Sequence, residues 1–253
     1  MDPDELRSRA AGIRWFHSMD LGHGIVTEGD DDSARKLGRI RLPERLGGLS
    51  VLDIGAWDGF FSFEAERRGA SRVLAADSYC WSGKDGCTKD GFNLARRALR
   101  SKVEDVEIEV LDLAPERVGT FDLVLFLGVL YHMKFPHVAL ERVASVTQDR
   151  LILETHVDLL HMRRAAMAIY PDRELDGDPT NWCGPNLAAL EWMLRDVGFT
   201  ELKRVHLSPV WWRAGRAAKL AARGKAGFLR SLSQARVVYH ARKPGRPGLR
   251  VVS

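Results

Sequence analysis

The sequence predicts an α/β fold: a seven-stranded, mostly parallel sheet with helices on both faces. Three observations carry that prediction. Strand-like apolar runs and helical-period segments alternate five times between Ser50 and Thr155. The first run, Val51-Leu52-Asp53-Ile54, opens into a glycine turn, Gly55-Ala56-Trp57-Asp58-Gly59, that leads directly into a helix. The second and third runs each close on an acid, Asp77 and Asp112. Alternation of this kind gives parallel strands joined by right-handed crossovers.

Composition sets the frame. A chain of 253 residues suffices for one large domain or two small ones. Apolar residues make up 45% and charged residues 28%, the proportions of an ordinary globular protein. The net charge of +4 is too small to demand a nucleic-acid partner. The acidic start, Met1-Asp2-Pro3-Asp4-Glu5, lacks the apolar core of a signal peptide. The longest apolar run, Leu123 to Tyr131, is too short to span a bilayer. Cys80, Cys87 and Cys183 have no zinc-ligand spacing and read as reduced thiols. The expectation is a cytoplasmic protein, with monomer and homodimer both compatible.

Residues 4–16 fit a short helix with Leu6, Ala10 and Ile13 on one side. The loop Trp15-Phe16-His17-Ser18-Met19-Asp20-Leu21-Gly22-His23-Gly24 either lines a site or packs its aromatics on the core. A helix over 33–46 leads to the Gly47-Gly48 turn, so residues 1–48 read as a helical arm or lid ahead of a domain at 49–243. In that domain the first strand is 50–54, and its helix runs from Gly59 to Arg68 with Gly69 as cap. A strand at 72–76 ends at Asp77, a loop covers 78–90, and a helix follows to about Ser101. Residues 106–111 alternate as a strand ending at Asp112. The continuously apolar 121–128 suits the centre of a parallel sheet. A helix at 136–146 and a strand at 151–155 complete the alternation, and 157–185 break it as an insertion. Asn186 caps a helix at 187–197 that Gly198 stops. The last strands, 200–207 and 235–242, flank a basic insertion at 209–232, and 244–253 form a loose tail.

Ligands of open parallel sheets sit outside the carboxyl ends of the strands. Gly55 and Gly59 permit close approach of a ligand there. Asp77, 22 residues after Gly55, is placed to accept hydrogen bonds from ribose hydroxyls, and Asp112 to reach an adenine amine. A dinucleotide fold prefers Gly-x-Gly-x-x-Gly, whereas this loop is Asp53-x-Gly55-x-x-x-Gly59. With Asp77 and Asp112 behind it, the pattern resembles the Rossmann-like class I S-adenosylmethionine-dependent methyltransferases.

Further blocks narrow the resemblance: Trp15-Phe16-His17-Ser18-Met19-Asp20-Leu21-Gly22, Val51 to Phe63, Leu127-Gly128-Val129-Leu130-Tyr131-His132, Leu153-Glu154-Thr155 and Asn181-Trp182-x-x-Pro185-Asn186. As a set they are similar to the methyltransferase family named after the tRNA wobble-uridine carboxymethyltransferase, and more so to its sugar and small-molecule O-methyltransferase members. The resemblance implies S-adenosylmethionine held by Asp53, Gly55, Ala56, Trp57, Gly59, Asp77, Asp112, Leu113, Leu127 and Gly128. It implies an acceptor met by His17, Asp20, Tyr131 and Trp182. The tRNA enzyme grips a carboxylated cofactor through a lysine before the fold, a tyrosine and a distant arginine. Only the tyrosine carries over, as Tyr131, and the first 35 residues hold no lysine. A missing cation forfeits a charge-assisted contact worth roughly 1.5–3 kcal/mol, which favours ordinary S-adenosylmethionine and a smaller acceptor.

The expected reaction is in-line transfer of a methyl group to a hydroxyl of a saccharide or specialised metabolite. His132 is the candidate general base; the alternative is that it only bonds backbone in its turn. Glu154, His156 and Asp158, spaced by two, form a second catalytic constellation able to hold Mg2+. Otherwise Glu154 caps a loop and His156 packs. The basic insertion, Trp211-Trp212-Arg213 through Arg230 with Arg216, Lys219, Arg223 and Lys225, grips phosphates, lies on a membrane or forms a solvated helix face. The first of these options goes with the alternative function, modification of a tRNA wobble uridine.

Overall fold

The computed structural model describes residues 1–224 and 227–244; Lys225 of the basic insertion and residues 245–253 of the expected tail lie outside them. Nine strands form among the described residues: β1 (Ser50–Ile54), β2 (Arg72–Asp77), β3 (Glu104–Glu107), β4 (Phe121–Leu127), β5 (Thr147–Val157), β6 (Met167–Ile169), β7 (Cys183–Pro185), β8 (Glu201–Leu207) and β9 (Ala235–Arg242). Seven make one sheet in the order β3-β2-β1-β4-β5-β9-β8, and β6 and β7 pair apart from it. The predicted fold class is the observed one. By contact density the chain divides into two units: Met1–Leu125 with Ser145–Asp149, and Phe126–Ala144 with the described residues from Arg150 onward.

In the first unit, β1 runs parallel to β2 with Asp53 opposite Ala75 and Ile54 opposite Ala76. Val51, Leu52, Val73 and Leu74 are buried, as parallel strands covered on both faces require. Helix α1 (Pro3–Ala11) starts on Asp2, whose carboxylate accepts from the Asp4 and Glu5 amides, and it ends at Gly12, short of the predicted Phe16. Helix α2 (Ser33–Ile40) also stops early, at Arg41 with φ 50. Pro43 two residues on cannot supply the amide that a continuing helix needs. Helix α3 (Phe60–Arg67) follows the glycine turn, and Gly69 has the positive φ of the predicted cap, 87. Helix α4 (Asp90–Ala98) precedes β3.

Strand β3 corrects the sequence expectation of 106–111. It pairs with β2 from Leu74↔Glu104 to Asp77↔Glu107, and the Ile108 amide still reaches the Asp77 carbonyl, 2.9 Å. There β2 ends, so no further partner is available. The chain turns through a single 3-10 turn, Val110–Asp112, and Asp112 closes that turn instead of a strand. The short helix α5 (Pro115–Val118) was not expected.

In the second unit, helix α6 (Pro136–Val146) and the long β5 appear where predicted, β5 extending to eleven residues. Strand β9 runs antiparallel to both β5 and β8. Glu154 lies opposite Val238 and His156 opposite Arg236. The insertion after β5 contains the β6–β7 ladder, with Ala168 opposite Gly184. Asn186 caps helix α7 (Leu187–Asp196) as predicted: its Oδ1 accepts from the Ala189 amide, 2.9 Å. Its amide nitrogen also donates to the Arg164 carbonyl, 2.7 Å, and so fixes the insertion to the helix start. The basic insertion forms helices α8 (Val210–Ala222) and α9 (Phe228–Leu232). Among the described residues no helix is long and apolar enough to cross a membrane.

Candidate active site

The glycine turn of the first unit closes its hydrogen bonds on itself. The Gly55 and Ala56 amides both donate to the Ala76 carbonyl, at 2.8 and 3.2 Å. The Trp57 amide donates to Asp77 Oδ2, 2.9 Å, and the Gly59 amide to the Ala56 carbonyl, 2.7 Å. Gly55, Trp57 and Gly59 have positive φ values of 77, 48 and 84. At Gly59 no side chain fits, since a Cβ would lie 2.6 Å from the Phe92 ring. The amides of Gly55, Ala56, Trp57 and Gly59 are thereby occupied within the protein.

Three buried carboxylates stand around it. Asp53 Oδ2 accepts from Ser62 Oγ, 2.6 Å, which ties α3 to β1; burial pushes its pKa up to about 6. Asp77 accepts the Trp57 amide at Oδ2 and the Cys80 amide at Oδ1, 3.0 Å, the Ser78 amide adds a third hydrogen bond, and burial raises its pKa. Three amides leave part of the carboxylate's acceptor capacity open. Asp58 Oδ2 accepts from the amides of Phe16, 2.7 Å, and His17, 3.0 Å, and so anchors the N-terminal arm. Phe16 stacks on Trp57 with centroids 4.3 Å apart and planes at 7°. His17 is buried against Phe60 and Phe61, and its Nδ1 stands 3.7 Å from Asp58, too far for a hydrogen bond. Burial lowers its pKa. Asp20 is exposed and accepts from the Gly22 amide in its own turn, 2.8 Å. Lys36 lies 5.8 and 5.4 Å from the ring centroids of Phe16 and Phe61.

The second unit gathers a different cluster around Tyr131. Its ring has His132 at 4.2 Å, His156 at 6.3 Å and the Arg236 guanidinium at 4.6 Å. Arg236 donates to the Tyr131 hydroxyl, 3.1 Å, and its Nε stands 3.1 Å from Glu154 Oε1. Glu154 Oε2 is buried without a partner among the described residues. The Trp182 amide donates to the Tyr131 carbonyl, 2.8 Å, while Lys134 sits 4.3 Å over the indole. Gly128, at the end of β4, donates its amide to the Glu154 carbonyl, 2.9 Å.

Each histidine of this cluster has one ring nitrogen fixed. His132 Nδ1 lies 3.0 Å from both the carbonyl and the hydroxyl of Thr180. The Thr180 hydroxyl itself donates to Asp178, 2.7 Å. Only a protonated Nδ1 satisfies those two oxygens, which leaves Nε2 as the lone-pair atom. Burial holds the His132 pKa below the ordinary imidazole value.

His156 is held by a longer relay. Its Nε2 is 3.0 Å from the Tyr170 hydroxyl, which donates to Asp158 Oδ2, 2.8 Å. Asp158 also accepts from Ser233 Oγ, Gln234 Nε2 and the Leu159 amide. Burial works to raise the Asp158 pKa, but these hydrogen bonds outweigh it and hold the carboxyl ionised. The tyrosine proton therefore points to Asp158, so His156 Nε2 carries the proton and Nδ1 the lone pair. Burial, then the Arg236 charge, pushes the His156 pKa down to about 3. A Cβ at Gly184 would stand 2.4 Å from the Tyr170 hydroxyl, so only glycine lets β7 pass this relay.

Against this geometry a methyltransferase-domain family model matches residues 30–203, more than half of the chain. The chain belongs to the methyltransferase-domain family. A tRNA U34 carboxymethyltransferase of Pseudomonas aeruginosa (strain LESB58) is 28% identical over 188 residues, 73% of this chain and 55% of that protein. The methyltransferase thus spans about half the length of such relatives. The N-terminal domain of EvdMO1, solved in the presence of SAH and D-fucose, superposes with a TM-score of 0.67 at 20% identity, covering 96% of this chain and 98% of that one. An S-adenosylmethionine-dependent methyltransferase from Mesorhizobium loti gives 0.53 at 19% identity, covering 84% and 99%. These two likenesses concern the fold.

The residues around the glycine turn fit the cofactor that the sequence leads one to expect. S-adenosylmethionine carries a sulfonium cation, and Asp53, Asp58 and Asp77 stand buried around the turn. The structure brings the sequence-predicted Asp53, Gly55, Ala56, Trp57, Gly59 and Asp77 together in one turn. It leaves Asp112 exposed and paired with Arg117 at 3.4 Å, with Leu113 buried beside it in sequence. It brings Tyr131, His132, Glu154 and His156 together in the second unit. The predicted metal set is a correction. Among the described residues no cluster of His, Cys, Asp and Glu could hold a metal. Glu154 faces a guanidinium, and the four donors to Asp158 fill its carboxylate. Mg2+ therefore has no site there.

Three residues escaped the sequence reading. Asp58 lay inside the motif but was given no role. Tyr170 had no signal of its own. Arg236, which joins Tyr131 and Glu154, was given no role, and its signal was its place opposite His156 in the last strand.

Proposed function

We propose that this methyltransferase carries a methyl group from S-adenosylmethionine to a hydroxyl oxygen of a small polar acceptor, a saccharide or specialised metabolite. The observation that carries the reading is His132: a neutral imidazole with Nδ1 anchored on Thr180 and Nε2 unbonded among the described residues. S-adenosylmethionine, when bound, supplies an electrophilic methyl on its sulfonium. A sugar hydroxyl is a weak nucleophile, so His132 takes its proton at Nε2. A lowered but unburdened imidazole pKa keeps that nitrogen free near neutral pH. His156, with its much lower pKa, is too weak a base for that task and accepts a hydrogen bond from a second hydroxyl at Nδ1. Glu154 Oε2 accepts a third, and the Tyr131 ring gives the sugar an apolar face. In the first unit Asp77 receives the ribose, Asp53 and Asp58 hold the turn in shape, and residues 1–48 act as an arm fastened by Asp58. The D-fucose present with the N-terminal domain of EvdMO1 supports the sugar class.

A second reading has its own observation. Tyr131 is hydrogen-bonded to Arg236, a tyrosine beside an arginine as the resemblance leads one to look for around a carboxylated cofactor, and the tRNA U34 relatives align with 73% of the chain. Glu154 already neutralises Arg236, which disfavours another carboxylate there. One experiment separates the two. The enzyme is incubated with methyl-labelled S-adenosylmethionine and either a panel of deoxysugars and glycosides or bulk tRNA. Label in a base-stable sugar ether supports the main reading. Label only in tRNA, or transfer only from the carboxylated donor, sinks it.

A further inference from the structure

The second unit contains a cavity of about 780 Å³ lined by Leu159, Leu160, Ile169, Val210, Leu229 and Leu232 among others. That size suits a small organic ligand. Three of these side chains are largely exposed: Ile169 at 63%, Val210 at 64% and Leu229 at 80%. Large apolar groups left open together around a cavity mark a binding surface more often than an accident of packing.

Two acids and two arginines line the cavity. Glu174 is ion-paired with Arg230, and the Asp158 carboxylate is filled by Tyr170, Ser233, Gln234 and the Leu159 amide. Arg213 also lines the cavity, and among the described residues no carboxylate pairs with it. Its Nη1 donates to the Leu232 carbonyl, 2.8 Å, while its Nε is buried without a partner. A buried guanidinium N–H lacking an acceptor is costly, and an oxyanion is the acceptor that satisfies it best. No Asp or Glu occurs between Ser208 and Arg236, and both carboxylates that line the cavity are already engaged, Glu174 by Arg230 and Asp158 by its four donors.

We propose that this cavity binds an amphiphilic anion: a medium-length hydrocarbon chain ending in a carboxylate. The chain lies along Leu159, Ile169 and Leu229, and the head group meets Arg213. Asp158 and Tyr170 also line the cavity, so the occupant packs against the tyrosine that holds His156. The proposal does not depend on which hydroxyl the enzyme methylates.

The test is calorimetric titration of the full chain with decanoate below its micelle concentration, and with decanol. Saturable one-to-one binding of decanoate is expected, with decanol about tenfold weaker or worse. Arg213→Gln should weaken decanoate about tenfold and leave decanol unchanged. Because Arg213 also holds the Leu232 carbonyl, a second variant is needed. Ile169→Glu places a like charge at an exposed rim position and should weaken decanoate by about tenfold or more. Equal affinity for decanol overturns the anionic part. Absence of saturable decanoate binding, or full affinity in Ile169→Glu, overturns the site. Sedimentation with phosphatidylglycerol vesicles by a protein that binds no decanoate also overturns it, and assigns the apolar rim to a membrane surface.

Discussion

The glycine turn of the first unit and the Tyr131 cluster of the second are both made of aromatics, acids and histidine, yet they treat their polar groups in opposite ways. Around the turn, Asp53, Asp58 and Asp77 each accept from a hydroxyl or an amide of the protein. The Gly55, Ala56 and Gly59 amides donate to carbonyls and the Trp57 amide to Asp77. Of the groups named there, His17 Nδ1 alone is buried without a partner among the described residues. Around Tyr131, each histidine is fixed through one nitrogen and left unbonded at the other, and among the described residues Glu154 keeps a buried oxygen without a partner. The first arrangement is a finished scaffold that presents shape and negative potential. The second is an unfinished network whose open positions suit the hydroxyls of a ligand. Leaving buried polar groups unmade is costly, so such positions concentrate where something is meant to bind.

The largest effect should come from the open side. His132→Ala is expected to lower kcat by about 10²- to 10⁴-fold with an unchanged circular dichroism spectrum. Because burial holds the His132 pKa below the ordinary value, wild-type activity should stay level through neutral pH. It should fall only as the pH drops through that lowered pKa and the base is protonated. His156, at about 3, adds no limb above pH 4. A surviving acid limb in His132→Ala would assign the base to another group and break the contrast.

Tyr170→Phe should act next in size. It removes the hydroxyl between His156 and Asp158, leaving buried partners unmatched, at a cost of about 1–3 kcal/mol in stability. Denaturant midpoints read that loss. Acceptor KM should rise about tenfold while kcat changes less. A variant with wild-type KM would show that His156 orientation is irrelevant to the acceptor.

The smallest effect is expected on the closed side. Asp58→Asn keeps one acceptor oxygen for two amides and should cost about 1 kcal/mol. Limited proteolysis should then cut between Gly12 and Asp32, with acceptor KM unchanged. A large KM change would mean that the arm belongs to the open network after all, and would sharpen where the boundary between the two regions falls.

What could be read in the chain beforehand follows the same division. β1, β2, the Gly69 cap and the Asn186 cap were legible because local period and capping chemistry decide them. β3 was misplaced because its length depends on where β2 stops offering carbonyls, which no local pattern reveals. The metal expectation rested on the two-residue spacing of Glu154, His156 and Asp158, which the strand does honour. It failed because the residues that satisfy these three come from elsewhere: Arg236 from β9, Tyr170 from beyond β6, Ser233 and Gln234 from beyond α9. Side-chain partners set by antiparallel register, such as His156 opposite Arg236, become visible only once the pairing is known.

The bond between Arg236 and Tyr131 joins residues 105 apart in sequence. During synthesis at roughly 5–20 residues per second, Tyr131 and Glu154 wait on the order of 5–20 s before that arginine exists. Throughout that interval Glu154 has no guanidinium to face, so its strand cannot be dried at full stability. The last strand thus acts as a completion check on the nascent chain. A chain that ends before Ala235 lacks the guanidinium that faces Glu154 and the donor to the Tyr131 hydroxyl.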